Sequence, residues 1–153
     1  MFRIALVHPE IPPNTGQIAR LCAATGVPLH IVRPIGFRID DRSLRRAGLD
    51  YWQQVDLHVH ASLEAFFVAA ADEPMWLFTK SGQRLYHEIA YRPGDWLVFG
   101  GESEGLPPEL LAAHLDRGVR VPMRREIVRS LNLASCASIV LYEALRQNGF
   151  QFE

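Results

Sequence analysis

Apolar residues along the chain gather in short runs: Ile4 to Val7, Leu29 to Val32, Val55 to Val59, Met75 to Phe78, Trp96 to Phe99 and Val119 to Val121. Several lack polar alternation, as strands covered on both faces require, and this predicts six strands in a mainly parallel, buried sheet. Between them the apolar spacing shifts to a helical period. Asn14 is read as the cap of a helix carrying Ile18, Leu21, Cys22 and Thr25 on one face, stopped at Gly26. Ser62 opens a second helix to Ala71, and Pro107-Pro108 starts a third that reaches about Leu115. The last runs from Asn132 to Gln147 and is apolar around much of its circumference through Leu133, Cys136, Ala137, Ile139, Val140, Leu141, Ala144 and Leu145. Such a helix needs more cover than one sheet face gives. Alternating strands and helices define an α/β class.

The chain has 153 residues, the size of one domain, so residues 1–153 are read as a single unit. An apolar share of 48% and a charged share of 22% place it among globular proteins. No run approaches the ~18 apolar residues that a membrane helix needs, and the N-terminus lacks the pattern of a secretory signal. Two cysteines, Cys22 and Cys136, both fall in helical stretches, which fits buried thiols, a reducing compartment and a cytoplasmic location. His58 and His60 share one strand face and are read as ordinary strand residues; two ligands do not make a metal site, and no metal is expected.

Phosphate-loop, dinucleotide and nucleophile-elbow signatures are absent. Three other segments are unusual. The first, Pro9 to Arg20, combines Pro12-Pro13 with Asn14, Gly16 and Arg20; the second, Phe99 to Pro108, sets Gly100, Gly101 and Gly105 around Glu102-Ser103-Glu104. The third, Val121 to Ser135, is Arg-rich and enters the last helix through Ser130 and Asn132, of which capping explains only one. Each follows a strand or opens a helix, where open α/β sheets bind ligands.

In order and spacing these segments resemble the three motifs of the SPOUT (α/β-knot) RNA 2′-O-methyltransferases. The first is matched by Asn14, Gly16, Ile18 and Arg20, and the second by Phe99, Gly100, Glu102, Gly105 and Leu106. The third is matched by Ser130, Leu131, Asn132 and Ser135, with Tyr142-Glu143 downstream. The opening PEIPPNTG and the stretch Arg45 to Tyr51 are similar to the minimal branch, whose members methylate the wobble ribose, position 34, of tRNAs, notably leucine isoacceptors.

The resemblance implies a C-terminal deep trefoil knot, a homodimer with a shared active site, tRNA as partner and S-adenosyl-L-methionine as cofactor. By position it implies that Phe78, Thr79, Gly100, Val121, Met123, Ser130 and Leu131 face that cofactor. It also places Arg20, Asn14, Glu102 and Asn132 in the catalytic set. An arginine does not ordinarily give up its proton, so Arg20 is read as gripping phosphate and stabilising the developing alkoxide, with Asn14, Glu102, Ser130 and Asn132 orienting it and the ribose. The group that accepts the 2′-hydroxyl proton stays open. Glu104 departs from the basic or neutral residue of relatives, and the loop around Arg124-Arg125 is longer and more basic.

A non-catalytic knotted RNA-binding factor would be marked by loss of Arg20, Asn14 or Ser130 to Asn132, all of which are kept. A ribosomal RNA 2′-O-methyltransferase would carry an added RNA-binding domain, for which this length leaves no room. Charge refines the picture. The total is −1, yet Arg33 to Arg46 carries +3 and Arg117 to Arg129 carries +4. Ten of fifteen arginines therefore flank the expected site, a footprint suited to phosphates.

Overall fold

The computed structural model describes residues 1–39 and 51–152. Its sheet has seven strands, one more than the apolar runs predict. These are β1 (Arg3–Val7), β2 (Leu29–Val32), β3 (Leu57–His60), β4 (Met75–Phe78), β5 (Arg84–Leu85), β6 (Trp96–Gly100) and β7 (Gly118–Arg120). The additional strand is β5, whose two residues are too few to leave a periodic signal and which is defined only by its pairing with β7. β3 starts two residues later than the apolar run Val55 to Val59 suggests, because Val55 closes a single 3-10 turn at Trp52–Gln54.

The strand order is β3-β2-β1-β6-β4-β7-β5, and every pairing is parallel. All strands therefore point the same way, and the loops that follow them collect along one edge of the sheet. Alternation along the central strands sorts the core into two layers. Ile4, Leu6, Leu97 and Phe99 face one side with Trp76 and Phe78; Ala5, Val7, Trp96, Val98, Met75 and Leu77 face the other.

Among the described residues, four α-helices cover these layers: α1 (Pro12–Thr25), α2 (Leu63–Ala70), α3 (Pro108–Ala113) and α4 (Leu133–Gln147). α1 and α4 share the first layer, through Ile18, Ala19 and Cys22 on one and Ala137, Val140, Leu141 and Ala144 on the other. α2 and α3 close the second with Leu63, Phe66 and Leu110. The cover that the last helix requires thus comes from the sheet and α1 together. Ile139 and Tyr142 stay exposed on its outer face.

Two helix ends follow the expected local chemistry, and the third helix stops at Ala113, short of Leu115. Ser62 accepts from the Ala65 amide at 3.1 Å, and Gly26, at φ 70°, turns the chain out of α1. Asn14 is not the cap of α1. The helix begins at Pro12, whose fixed φ and missing N–H suit the first helical position, so Ile11 takes the cap and Asn14 lies in the first turn. That frees the Asn14 side chain for tertiary bonds. Of the Arg45 to Tyr51 stretch, all but Tyr51 lies outside the described residues, as does the second half of the basic stretch Arg33 to Arg46.

Candidate functional site

β1 is followed by His8, a non-glycine residue at φ 56°, and the chain then turns through Pro9-Glu10-Ile11 into α1. Backbone held in that region costs about 1–3 kcal/mol and persists where its surroundings fix it. Here the surroundings are the loop after β6. A Cβ on Gly101 would come within 2.5 Å of the His8 carbonyl oxygen, so only glycine lets the two loops approach this closely. A Cβ on Gly100 would lie 2.1 Å from the Gly105 carbonyl carbon, where the 101–105 loop folds back on itself through the Gly105 amide to the Gly101 carbonyl at 3.0 Å.

Polar side chains join these loops to the start of α4. Glu102 accepts from the backbone amides of Glu10 at 2.7 Å and Ile11 at 3.1 Å, and from Asn14 Nδ2 at 3.3 Å. The Asn14 carbonyl Oδ1 in turn accepts from Asn132 Nδ2 at 2.9 Å. Asn132 Oδ1 accepts from the Ser135 amide at 3.1 Å and so caps α4. Of the two polar residues at this helix entrance, Asn132 is therefore the cap and Ser130 is left for the cavity.

That cavity measures about 510 Å³ and opens at the C-terminal ends of β4, β6 and β7. Ten of the residues singled out from the sequence line it: Asn14, Phe78, Thr79, Gly100, Glu102, Val121, Met123, Ser130, Leu131 and Asn132. The wall mixes backbone-rich loop with apolar surface from Leu106, Val119, Leu133 and Cys136. Its volume falls in the roughly 300–1,000 Å³ range of small-molecule sites. Lys80, Arg120 and Arg125 stand around it, and Arg125 donates to the Lys80 carbonyl. Burial pushes the Cys136 thiol up to about 11, so at neutral pH it is an apolar wall group rather than a nucleophile.

Arg20 is the exception. It does not line the cavity of the single chain; its exposed guanidinium sits 5.0 Å from the centre of the Tyr51 ring. Glu10 and Ser103 were missed from the sequence. The Ser103 hydroxyl lies 2.8 and 2.6 Å from the two Glu10 oxygens and the Ser103 amide donates to the first at 3.2 Å. These bonds hold the Glu10 carboxyl below its usual range. The signal available was a carboxylate in each of two glycine- and proline-rich loops, but nothing local says that the loops meet.

His58 and His60 acquire a third member. His30 stacks on both rings, at 4.4 and 5.2 Å between centres, and its Nδ1 lies 2.9 Å from His60 Nε2. Burial, then the neighbouring His58 and His60, push His30 down to about 3, so His30 is a packed neutral ring against Trp96. Among the described residues no group of three or more His, Cys, Asp or Glu is arranged to hold a metal ion, and no helix is long and apolar enough to cross a membrane.

A parallel α/β sheet with a backbone-walled cavity, closed by an Asn-Asn-Glu relay, defines a class that sequence comparison identifies. Residues 1–142 match the model of the SpoU rRNA Methylase family, and the chain belongs to it. Within it, the chain is 48% identical over 154 aligned positions to a Burkholderia pseudomallei (strain 1106a) protein named tRNA (cytidine(34)-2′-O)-methyltransferase, covering 99% of this chain and 98% of that protein. A Saccharophagus degradans protein of the same name is also 48% identical, over 98% of this chain and 97% of its own. A solved structure described as "Structural insights into the 2-OH methylation of C/U34 on tRNA" superposes with a TM-score of 0.93 at 45% identity, over 97% of both chains. An AdoMet-bound rRNA methyltransferase from Sinorhizobium meliloti aligns at 28% identity and TM-score 0.84, but this chain spans only 56% of it.

Proposed function

We propose that this chain is a tRNA 2′-O-methyltransferase that moves a methyl group from S-adenosyl-L-methionine to the ribose 2′-hydroxyl of nucleotide 34. The observation that carries the reading is the meeting of three loops at one cavity, tied by Glu102, Asn14 and Asn132. Full-length relatives named for that reaction support it. The cavity's chemistry fits the cofactor. Gly100 brings bare backbone to the wall, Leu131 and Leu133 give apolar surface, and Thr79 and Ser130 give hydroxyls.

When bound, S-adenosyl-L-methionine supplies a methyl group activated on a sulfonium centre. The residues assigned to hold it are Phe78, Thr79, Gly100, Val121, Met123, Ser130 and Leu131. The protein's own task is positioning and charge stabilisation. Asn14 is fixed by a donor bond on one side and an acceptor bond on the other, so its amide has one orientation. Glu102 and Asn132 are held through it, and this preset frame orients the ribose.

Arg20 is assigned to grip the substrate phosphate and stabilise the developing alkoxide. Because it stands outside the cavity of one chain, a homodimer is the assembly that brings it to a site, and the exposed Ile139 and Tyr142 on α4 are the apolar surface that supports this pairing. A trefoil knot formed by the segment that leads into α4, a cytoplasmic location and leucine isoacceptors as substrates complete the reading. The test incubates the chain with labelled S-adenosyl-L-methionine and tRNA from cells lacking this activity, followed by nucleoside mapping. Label in 2′-O-methylated nucleotide 34 is the expected result, and no transfer to tRNA overturns it.

A further inference from the structure

Two carboxylates on different loops each take hydrogen bonds from the other's loop. Glu102, after β6, accepts from the Glu10 and Ile11 amides; Glu10, after β1, accepts from the Ser103 amide and hydroxyl. The exchange is reciprocal, and it closes across the short gap where only a glycine fits at position 101. Glu102, Asn14 and Ser103 line the cavity, whereas Glu10 lies on its outer side and reaches it through Ser103.

From this geometry we propose that Glu10 and Ser103 are positioning residues for methyl transfer, acting through Glu102 and Asn14. The inference rests on the methyltransferase reading above. The Glu102 carboxylate is placed by the amides at 10 and 11, so its position is only as fixed as that turn. The turn follows His8, which sits at φ 56°, and its far side is anchored by the Glu10 carboxylate on Ser103. Loosening that anchor lets the turn relax, moves Glu102, and with it the Asn14 amide and the Asn132 side chain. Charge-assisted bonds to backbone N–H are the stronger kind, which suits a device that must hold a loop against strain.

The experiment compares Glu10→Gln, Ser103→Ala, Ser103→Thr and the double variant Glu10→Gln/Ser103→Ala with the unaltered chain. It reads kcat and KM on tRNA, cofactor affinity by calorimetry, and thermal unfolding. Glu10→Gln keeps the size of the side chain and one oxygen for the Ser103 amide, but removes the charge and puts an N–H where the second oxygen accepts from the Ser103 hydroxyl. A displacement near 1 Å can cost on the order of 100-fold, so kcat falls roughly 10- to 100-fold for Glu10→Gln while cofactor affinity changes less than about 2-fold. Ser103→Ala gives a similar loss, Ser103→Thr retains more activity than Ser103→Ala, and the double variant is no worse than the poorer single variant.

A Glu10→Gln chain with unaltered kcat overturns the proposal, and so does strict additivity in the double variant. Equal losses of cofactor affinity and kcat, in step with a lowered unfolding temperature, also overturn it, because they mark a merely structural role. If the unaltered chain transfers no methyl to tRNA, the functional reading falls and takes this inference with it. An active unaltered chain with an unaffected Glu10→Gln variant sinks the inference alone.

Discussion

Asn132 Nδ2 donates to Asn14 Oδ1 at 2.9 Å across 118 residues of sequence, linking the first turn of α1 to the cap of α4. Asn14 is 7% exposed and uses its other end on Glu102, so replacing it by aspartate puts an acceptor where Nδ2 was, facing the Glu102 carboxylate. Asn14→Asp is expected to lose about 1–3 kcal/mol of stability and most of its methyl transfer, read by denaturant unfolding and the labelled-methyl assay.

Gly100→Ala tests the loop that walls the cavity. The added methyl would overlap the Gly105 backbone at 2.1 Å, and backbone cannot move aside as a flexible side chain does. The expected cost is about 1–3 kcal/mol, together with a cofactor affinity loss measurable by calorimetry. Unaltered cofactor binding in this variant would detach Gly100 from the cavity wall.

Arg20→Ala separates chemistry from cofactor binding. The side chain is exposed and contacts the Tyr51 ring, so stability should move by less than about 0.5 kcal/mol. Turnover is expected to vanish while cofactor affinity persists. Arg20→Lys is expected to fail as well, since a point charge does not reproduce the bidentate grip of a guanidinium. Parallel loss of turnover and cofactor affinity would show the residue to be misassigned.

Acid should destabilise the chain through the histidine cluster. His30 is held down to about 3 in the fold against an unfolded value of about 6.5, so as pH falls through that window the unfolded chain takes up a proton that the folded one does not. Stability contributed by the neutral ring is thus full above about 6.5 and declines toward 3, with a limiting slope of ~1.4 kcal/mol per pH unit for one such group. His60 is lowered in the same direction. Thermal unfolding from pH 7 to 4.5 measures the slope, and His30→Leu is expected to flatten it.

Arg129→Ala should weaken tRNA binding without touching cofactor affinity. The residue is exposed within the +4 stretch from Arg117 to Arg129 that flanks the cavity. Losing one phosphate contact should lower the slope of log affinity against log salt by about 0.7–0.9, measured by titration at several ionic strengths. An unchanged slope would move the RNA footprint off this stretch.

What the sequence determines is whatever is written in neighbouring positions. Uninterrupted apolar runs mark strands buried on both faces, Gly26 and Ser62 mark helix ends, and strands alternating with helices imply a parallel sheet whose loops share one edge. Ten of the expected residues, from four segments, line one cavity, and what groups them beforehand is the resemblance of three motifs to a known family rather than the hydrophobic period. The tertiary structure decides what depends on register and close approach. β5 exists only because β7 lies beside it, and Asn14 leaves the cap role because Pro12 starts the helix and Glu102 and Asn132 come within reach. His30 joins His58 and His60 only because β2 and β3 pair in register. Glu10 and Ser103 meet only because a glycine lets two loops touch. Hydrophobic period is a property of each segment alone, whereas a hydrogen bond between residues far apart in the chain is set by how the whole sheet is ordered.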